Sequence, residues 1–382
     1  MGSKKILAIF GNVALFGQER ANIQVFEILK DAGHDILLAV NDRGFQWHIQ
    51  PEIEKRNLKF KKIRFSWNLK KTKSFKTIKM YFTDIFKSNF QLFKLIKEYN
   101  PDVIHVCNDT QVLTLLPVLL FTSIPIIYRL GDIPPIKSIS YRFIWSKLIT
   151  KRINKFVCIS EFVKSELLKI NPVLNNIDII YNLPTKRIIL NTEEDQLPKK
   201  DSNLITFVYI GQINEIKGVR ILVNAFEDLN DRFANTRLLL AGDTEHSVLA
   251  KELMKEANLI KYKNRIQFLG KVNNIDALLN IGDIGVFPSI YNEPLSNVIG
   301  EAKKNGKASI IFNSGGMPEL VQHNYDGYIS KTKNKEGLLE GLTYYVENPE
   351  QLKIQGDNAL KSLVSLGLNM NSFTSKWLKV YE

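Results

Sequence analysis

The chain has 382 residues, 45% hydrophobic and 24% charged, enough apolar material for two globular cores. Its formal charge is +13, and all of the excess lies in the first half: residues 1–180 hold 28 Lys and Arg against 15 Asp and Glu, residues 181–382 hold 24 against 24. The two cysteines, Cys107 and Cys158, sit in apolar runs and read as buried thiols, which excludes a thiolate zinc cluster; no run approaches the roughly 20 apolar residues that span a bilayer.

Residues 4–10 read as a first strand and not as the apolar core of a signal peptide. A loop with glycine at both ends, 11–17, precedes a helix over 19–30 whose apolar residues Ile23, Phe26 and Leu29 recur at helical spacing. Gly33 is placed to cap its C-terminus, and a strand follows over 35–40. The alternation continues with strands over 58–65, 103–106, 124–128, 156–159 and 177–180, a long helix over 75–99, and Ser160 as an N-cap. Continuous apolar strands between helices point to a parallel sheet covered on both faces. Residues 185–202, with Glu193-Glu194-Asp195 and Pro198-Lys199-Lys200, change character and read as a linker. A second series has strands over 205–210, 237–241, 266–269, 284–287 and 308–312 and ends in helices. The expected architecture is α/β: two doubly wound domains, 1–184 and 203–366, with a last helix over about 367–382 returning to the first.

Three turns in the second domain carry chemistry. Ile210-Gly211-Gln212 leads through Lys217-Gly218 into a helix; glycine permits close backbone approach, and the lysine with a helix N-terminus favours an anion. The same pattern is also an ordinary packing turn. Pro288-Ser289 runs into Glu293, Leu295, Ser296 and Asn297 and then Glu301, two carboxylates suited to paired hydroxyls around amides suited to phosphate; a dipole-favoured acid followed by a surface glutamate fits as well. The third turn is Asn313-Ser314-Gly315-Gly316-Met317-Pro318-Glu319.

In this order the three turns resemble the retaining glycosyltransferases of family 4 type, which have the GT-B fold, and the likeness covers most of the chain. Phe16-Gly17-Gln18-Glu19-Arg20 resembles the family's N-terminal glycine loop. The resemblance implies a nucleotide-sugar donor, UDP being the commonest carrier, held by Lys217 and Gln212 at the diphosphate, Glu293 at the sugar, the amides of Leu295, Ser296 and Asn297 at diphosphate and sugar, Glu301 at the ribose, and Lys271 and Val272 near the base. Gly17 would approach the diphosphate from the other domain. Lys217 and Glu293 are the residues expected to carry catalysis, with retention of configuration, no covalent nucleophile, and no metal or other cofactor, as no Asp-x-Asp pair occurs. Two departures stand out: Gln212 where the family usually has Arg, and Gly131, in Tyr128-Arg129-Leu130-Gly131-Asp132, where it often has His. Arg129, Asp132 and His105 are the acceptor-side candidates, His105 being expected at a strand end facing the site.

Residues 55–97 hold 14 basic residues and the single acid Asp84, interleaved with aromatic residues. Two readings fit: a helix on an anionic membrane surface, or a helix packed on its own sheet with a solvated lysine face. No nucleic-acid motif accompanies it. The expected protein is a cytoplasmic, peripherally membrane-bound enzyme acting on a saccharide or lipid-linked saccharide in surface-glycan assembly. The rival readings are a GT-B epimerase and a non-catalytic nucleotide-sugar-binding subunit.

Overall fold

The computed structural model describes residues 2–12, 15, 17–65, 74–135, 138–184, 197–256, 262 and 265–382, the side chains of 45–48 excepted. Phe16, His48, Lys70–Lys73 and most of the expected linker lie outside these. The chain forms two compact units, Met1–Tyr181 with Asn371–Glu382, and Asn182–Met370.

Among the described residues the first unit has strands β1 (Lys5–Phe10), β2 (Asp35–Asn41), β3 (Lys59–Ile63), β4 (Val103–Val106), β5 (Ile126–Leu130), β6 (Lys155–Cys158) and β7 (Ile177–Ile179), ordered β3-β2-β1-β4-β5-β6-β7. All the pairings are parallel, with Ile6 opposite Ile36 on one side and Val103 on the other. β4 is buried throughout and β1 from Ile6 to Phe10, as strands covered on both faces must be. β5 starts at Ile126, two residues later than the apolar run suggests; Pro125 before it has no amide for the ladder. The side chains of Ser160 and Asn108 cap their helices, accepting from Val163 N at 3.0 Å and Thr110 N at 2.9 Å. Cys107 and Cys158 are buried free thiols, and burial pushes both above the usual thiol range.

The second unit has β8 (Ile205–Ile210), β9 (Thr236–Ala241), β10 (Ile266–Gly270), β11 (Ile284–Phe287), β12 (Ser309–Phe312) and β13 (Gly327–Ser330), ordered β10-β9-β8-β11-β12-β13 and parallel. Its core packs Phe207, Leu238, Leu240, Val286 and Ile310 against Phe226 and Leu342 of the flanking helices. The edge strand β13, Gly-Tyr-Ile-Ser, has no apolar run to announce it; only pairing with β12 makes it a strand. Both orders reverse beside the first strand of the sheet, as in doubly wound nucleotide-binding domains.

Candidate active site

β8 and β11 are neighbours at the point where the second sheet reverses its order, and ligands of such sheets bind outside the carboxyl ends there. After β8 the chain turns at Gly211. The buried Tyr209 steadies the turn by donating its hydroxyl to Gln212 O at 2.6 Å. Burial first, and the nearby Glu293 charge second, push that phenol well above its ordinary range. Asn214 caps the short turn Glu215–Lys217, its side chain accepting from Lys217 N at 3.0 Å. Gly218 has φ +72°, and a Cβ there would overlap the Pro288 carbonyl oxygen, so only glycine lets this loop press against the one after β11. Ile216 O joins the two loops, accepting from Ile290 N at 3.0 Å and Tyr291 N at 3.1 Å.

That apposition brings the Lys217 ammonium onto the Glu293 carboxylate as an ion pair. Ser289 Oγ donates to the same oxygen, Glu293 Oε1, at 2.7 Å. The third turn closes on the Glu293 backbone: Gly316 N donates to Glu293 O at 2.8 Å, and Ser314 Oγ to Ser289 O at 2.7 Å. Gly315 has φ +56°, and a Cβ on it would overlap the main chain of Glu293. All three turns thus converge on Glu293, the first and second at its carboxylate and the third at its backbone.

The helix Asn297–Lys304 begins just beyond. Ser296 makes no side-chain capping bond, and the positive dipole end of the helix lies four residues past Glu293 in the chain. Asn297 is fixed by Asn182, whose Nδ2 donates to Asn297 Oδ1 at 2.8 Å. Leu295 and Glu301 are buried. Past β10, Lys271 Nζ lies 3.0 Å from Asp243 Oδ2, and Val272 is buried. The His246 amide, with Lys271, holds the Asp243 carboxyl well below the usual carboxylate range. Gln212 is exposed, its Oε1 accepting from Asn214 Nδ2 at 3.3 Å.

In the first unit Gly17 opens the helix Gly17–Asp31 and is exposed. Asp132 is exposed beyond β5, its carboxylate accepting from Ile133 N at 2.8 Å. Arg129 is fully buried, Nη1 donating to Asn22 Oδ1 at 2.9 Å; desolvation lowers its guanidinium to about 10. His105 corrects the expectation of a residue facing the site. It is wholly buried, its Nδ1 bonded to the Tyr381 hydroxyl and its ring against Trp377 and Phe26. The helix Met370–Val380 has covered it, and desolvation lowers its imidazole to about 3.

Two family profiles match the chain in succession, "Glycosyltransferase Family 4" over residues 17–183 and "Glycosyl transferases group 1" over residues 191–362. The chain belongs to the glycosyltransferases of family 4 type. An uncharacterised glycosyltransferase of Methanocaldococcus jannaschii is 29% identical over 240 residues, 62% of this chain and 60% of that one. The Campylobacter jejuni N,N'-diacetylbacillosaminyl-diphospho-undecaprenol alpha-1,3-N-acetylgalactosaminyltransferase is 30% identical over 44% of this chain and 41% of its own. The chain spans about half the length of the curated relatives it matches. The crystal structure of Anabaena HepE in complex with UDP-glucose superposes with a TM-score of 0.76 at 18% identity, covering 99% of each chain, which establishes the GT-B fold.

Four residues of this glycosyltransferase's site have no role in the sequence reading: Ser289, Asn214, Ser314 and Asn182, which hold Glu293, Lys217, Ser289 and Asn297 in place. Small polar residues in turns are the only signal they give. A fifth is Gln18. It fills the space beside Gly131, where a Cβ would lie 3.0 Å from Gln18 Nε2, and is anchored by donating to Cys107 O at 2.8 Å.

Proposed function

We propose that this glycosyltransferase moves a sugar from a UDP-sugar to a hydroxyl of a saccharide or lipid-linked saccharide, with retention of anomeric configuration and without a metal ion. The observation that carries the reading is the Lys217–Glu293 pair at the reversal of the second sheet, beside the N-terminus of the helix Asn297–Lys304. An ammonium and helix-end amides neutralise the charge that develops on a departing diphosphate, the work a metal does in other transferases. Glu293, its Oε1 already bonded by Ser289 and Lys217, keeps Oε2 for sugar hydroxyls. Glu301 takes the ribose. The bond between the anomeric carbon and the diphosphate oxygen breaks, the acceptor oxygen bonds on the same face, and the acceptor proton passes to the diphosphate, so no side chain need act as base. The UDP-glucose complex of the Anabaena neighbour and the lipid-diphosphate acceptor in the Campylobacter relative's name support the donor and acceptor classes.

The test is thermal: UDP-, GDP-, ADP- and CMP-sugars are titrated without divalent metal, on the wild type and on Glu301→Ala. A site filled to 100 times its dissociation constant adds about 2.7 kcal/mol of stability. A shift with UDP-sugars that weakens in the variant, followed by turnover in EDTA, is expected. A shift with another nucleotide corrects the carrier; no shift with any sugar nucleotide sinks the transfer reading in favour of a non-catalytic subunit.

A further inference from the structure

The helix Phe75–Tyr99 is inside out. Its buried face is Asp84, Ser88, Leu92 and Leu95, while Phe75, Phe82, Phe86, Phe90 and Phe93 are all exposed, Phe75 by 84% and Phe86 by 74%. At about 100° per residue the five rings share a stripe about 80° wide, opposite the buried side. A helix on a soluble domain ordinarily turns such a stripe to the core. Here it cannot. Arg43 grips Asp84 with two hydrogen bonds of 3.0 and 3.1 Å, Arg64 Nη1 lies 3.5 Å away, and Gln91 Oε1 accepts from Arg64 N at 2.6 Å. On the same helix Asn89 bonds Thr114 O and Val118 N of the neighbouring helix at 2.8 and 3.2 Å. Rotating the rings inward would strand a buried carboxylate.

Lysines 76, 79, 87, 94 and 97 stand exposed along the rings, with Glu98, 3.6 Å from Lys94, as the exposed acid among them. Lys97 Nζ rests 4.4 Å over the Phe93 ring.

We infer that the exposed rings of Phe75–Tyr99 dock this unit on an anionic lipid bilayer, the rings entering the interface and the lysines meeting the headgroups. Charge selects the occupant. A second copy, placed on this face by a two-fold axis, would set lysine rows against lysine rows, whereas anionic lipid is attracted to each of them. A contiguous aromatic patch rimmed by lysine is also the composition that interfacial helices use. The inference concerns the first unit alone and stands whether or not the donor reading holds.

The experiment is co-sedimentation of the full chain with phosphatidylglycerol/phosphatidylcholine vesicles and with pure phosphatidylcholine, alongside analytical ultracentrifugation. Wild type is expected to bind the anionic vesicles at least about tenfold more tightly than the neutral ones. Phe82→Ser/Phe86→Ser should lower that binding about tenfold or more, as two ring insertions are lost. Lys76→Glu/Lys79→Glu/Lys87→Glu, which keeps every ring, should lower it as much. Both variants should melt as the wild type does and keep its UDP-sugar thermal shift, since they touch only exposed side chains; a variant that melts early is replaced by Phe90→Ser/Phe93→Ser. No binding to anionic vesicles, or equal binding in the ring variant, overturns the inference. So does a wild-type dimer that the ring variant dissociates.

Discussion

Lys217 and Ser289 both reach Oε1 of Glu293, the ammonium as an ion pair and the hydroxyl at 2.7 Å. The carboxylate is therefore held from two loops at once, each leaving a different strand of the second sheet. Lys217→Ala should keep the fold, because its side chain is 26% exposed and Ser289 still holds Glu293. It should lower kcat by about 100-fold or more, the scale on which losing one preorganised charge partner acts. Glu293→Gln keeps the shape but weakens the hold on the sugar. Steady-state rates with the best donor check both; a Lys217→Ala enzyme of wild-type rate would remove Lys217 from catalysis.

The glycine at 315 has a narrower tolerance than its place in a loop suggests. With φ +56° and the Glu293 main chain where its Cβ would go, Gly315→Ala must shift one loop against another. The backbone term alone is about 1–3 kcal/mol. For a domain of this size that corresponds to about 2–4 °C per kcal/mol, so the melting temperature should fall by about 2 °C or more, together with donor binding. Calorimetry with and without donor reads both; an unchanged melting curve would mean that the two loops are not in contact.

Gln212 offers a gain of function. It is exposed beside Lys217, and its side chain is engaged only by Asn214 at 3.3 Å among the bonds described. Gln212→Arg places a guanidinium at the same turn, and a charge-assisted bond to phosphate is about twice as strong as a neutral one. Donor affinity should rise about tenfold and become more sensitive to salt. Calorimetric titration at two ionic strengths measures both; affinity and salt slope unchanged from the wild type would place position 212 away from the diphosphate.

His105 gives the first unit an acid limit. Folded, its imidazole titrates at about 3; unfolded, near the ordinary imidazole value of 6.5. Between those values the unfolded chain binds one more proton, so this contribution to stability is complete above about 6.5 and is lost as pH falls toward 3. The slope is about 1.4 kcal/mol per pH unit. His105→Phe loses the bond to Tyr381, which lowers stability at every pH, but its denaturation free energy should fall less steeply between pH 6 and 4. Parallel slopes for the two proteins would show that His105 is charged when folded.

Much of this was legible in the residues. Apolar strand runs, the caps Ser160 and Gly33, and the order of the three turns, two of them with glycine, follow from short-range chemistry: steric freedom at glycine, side-chain capping, burial of both faces of a parallel strand. Long-range choices were not. β13 exists because β12 leaves it an edge to pair with. His105 reads as a strand-end polar residue until the helix Met370–Val380, which begins 265 residues later in the chain, seals it.

The sequence by itself determined which residues share a turn, a strand or a helical face, because backbone periodicity and rotamer chemistry act over a few residues. Only the tertiary structure decided where those faces point. Lys217 meets Glu293 because the sheet sets β8 beside β11. The phenylalanines of Phe75–Tyr99 face outward because Arg43 and Arg64 hold Asp84 on the inside. The helical period of 75–99 is the same whichever side is buried; a buried, doubly held carboxylate is the term that fixes the choice.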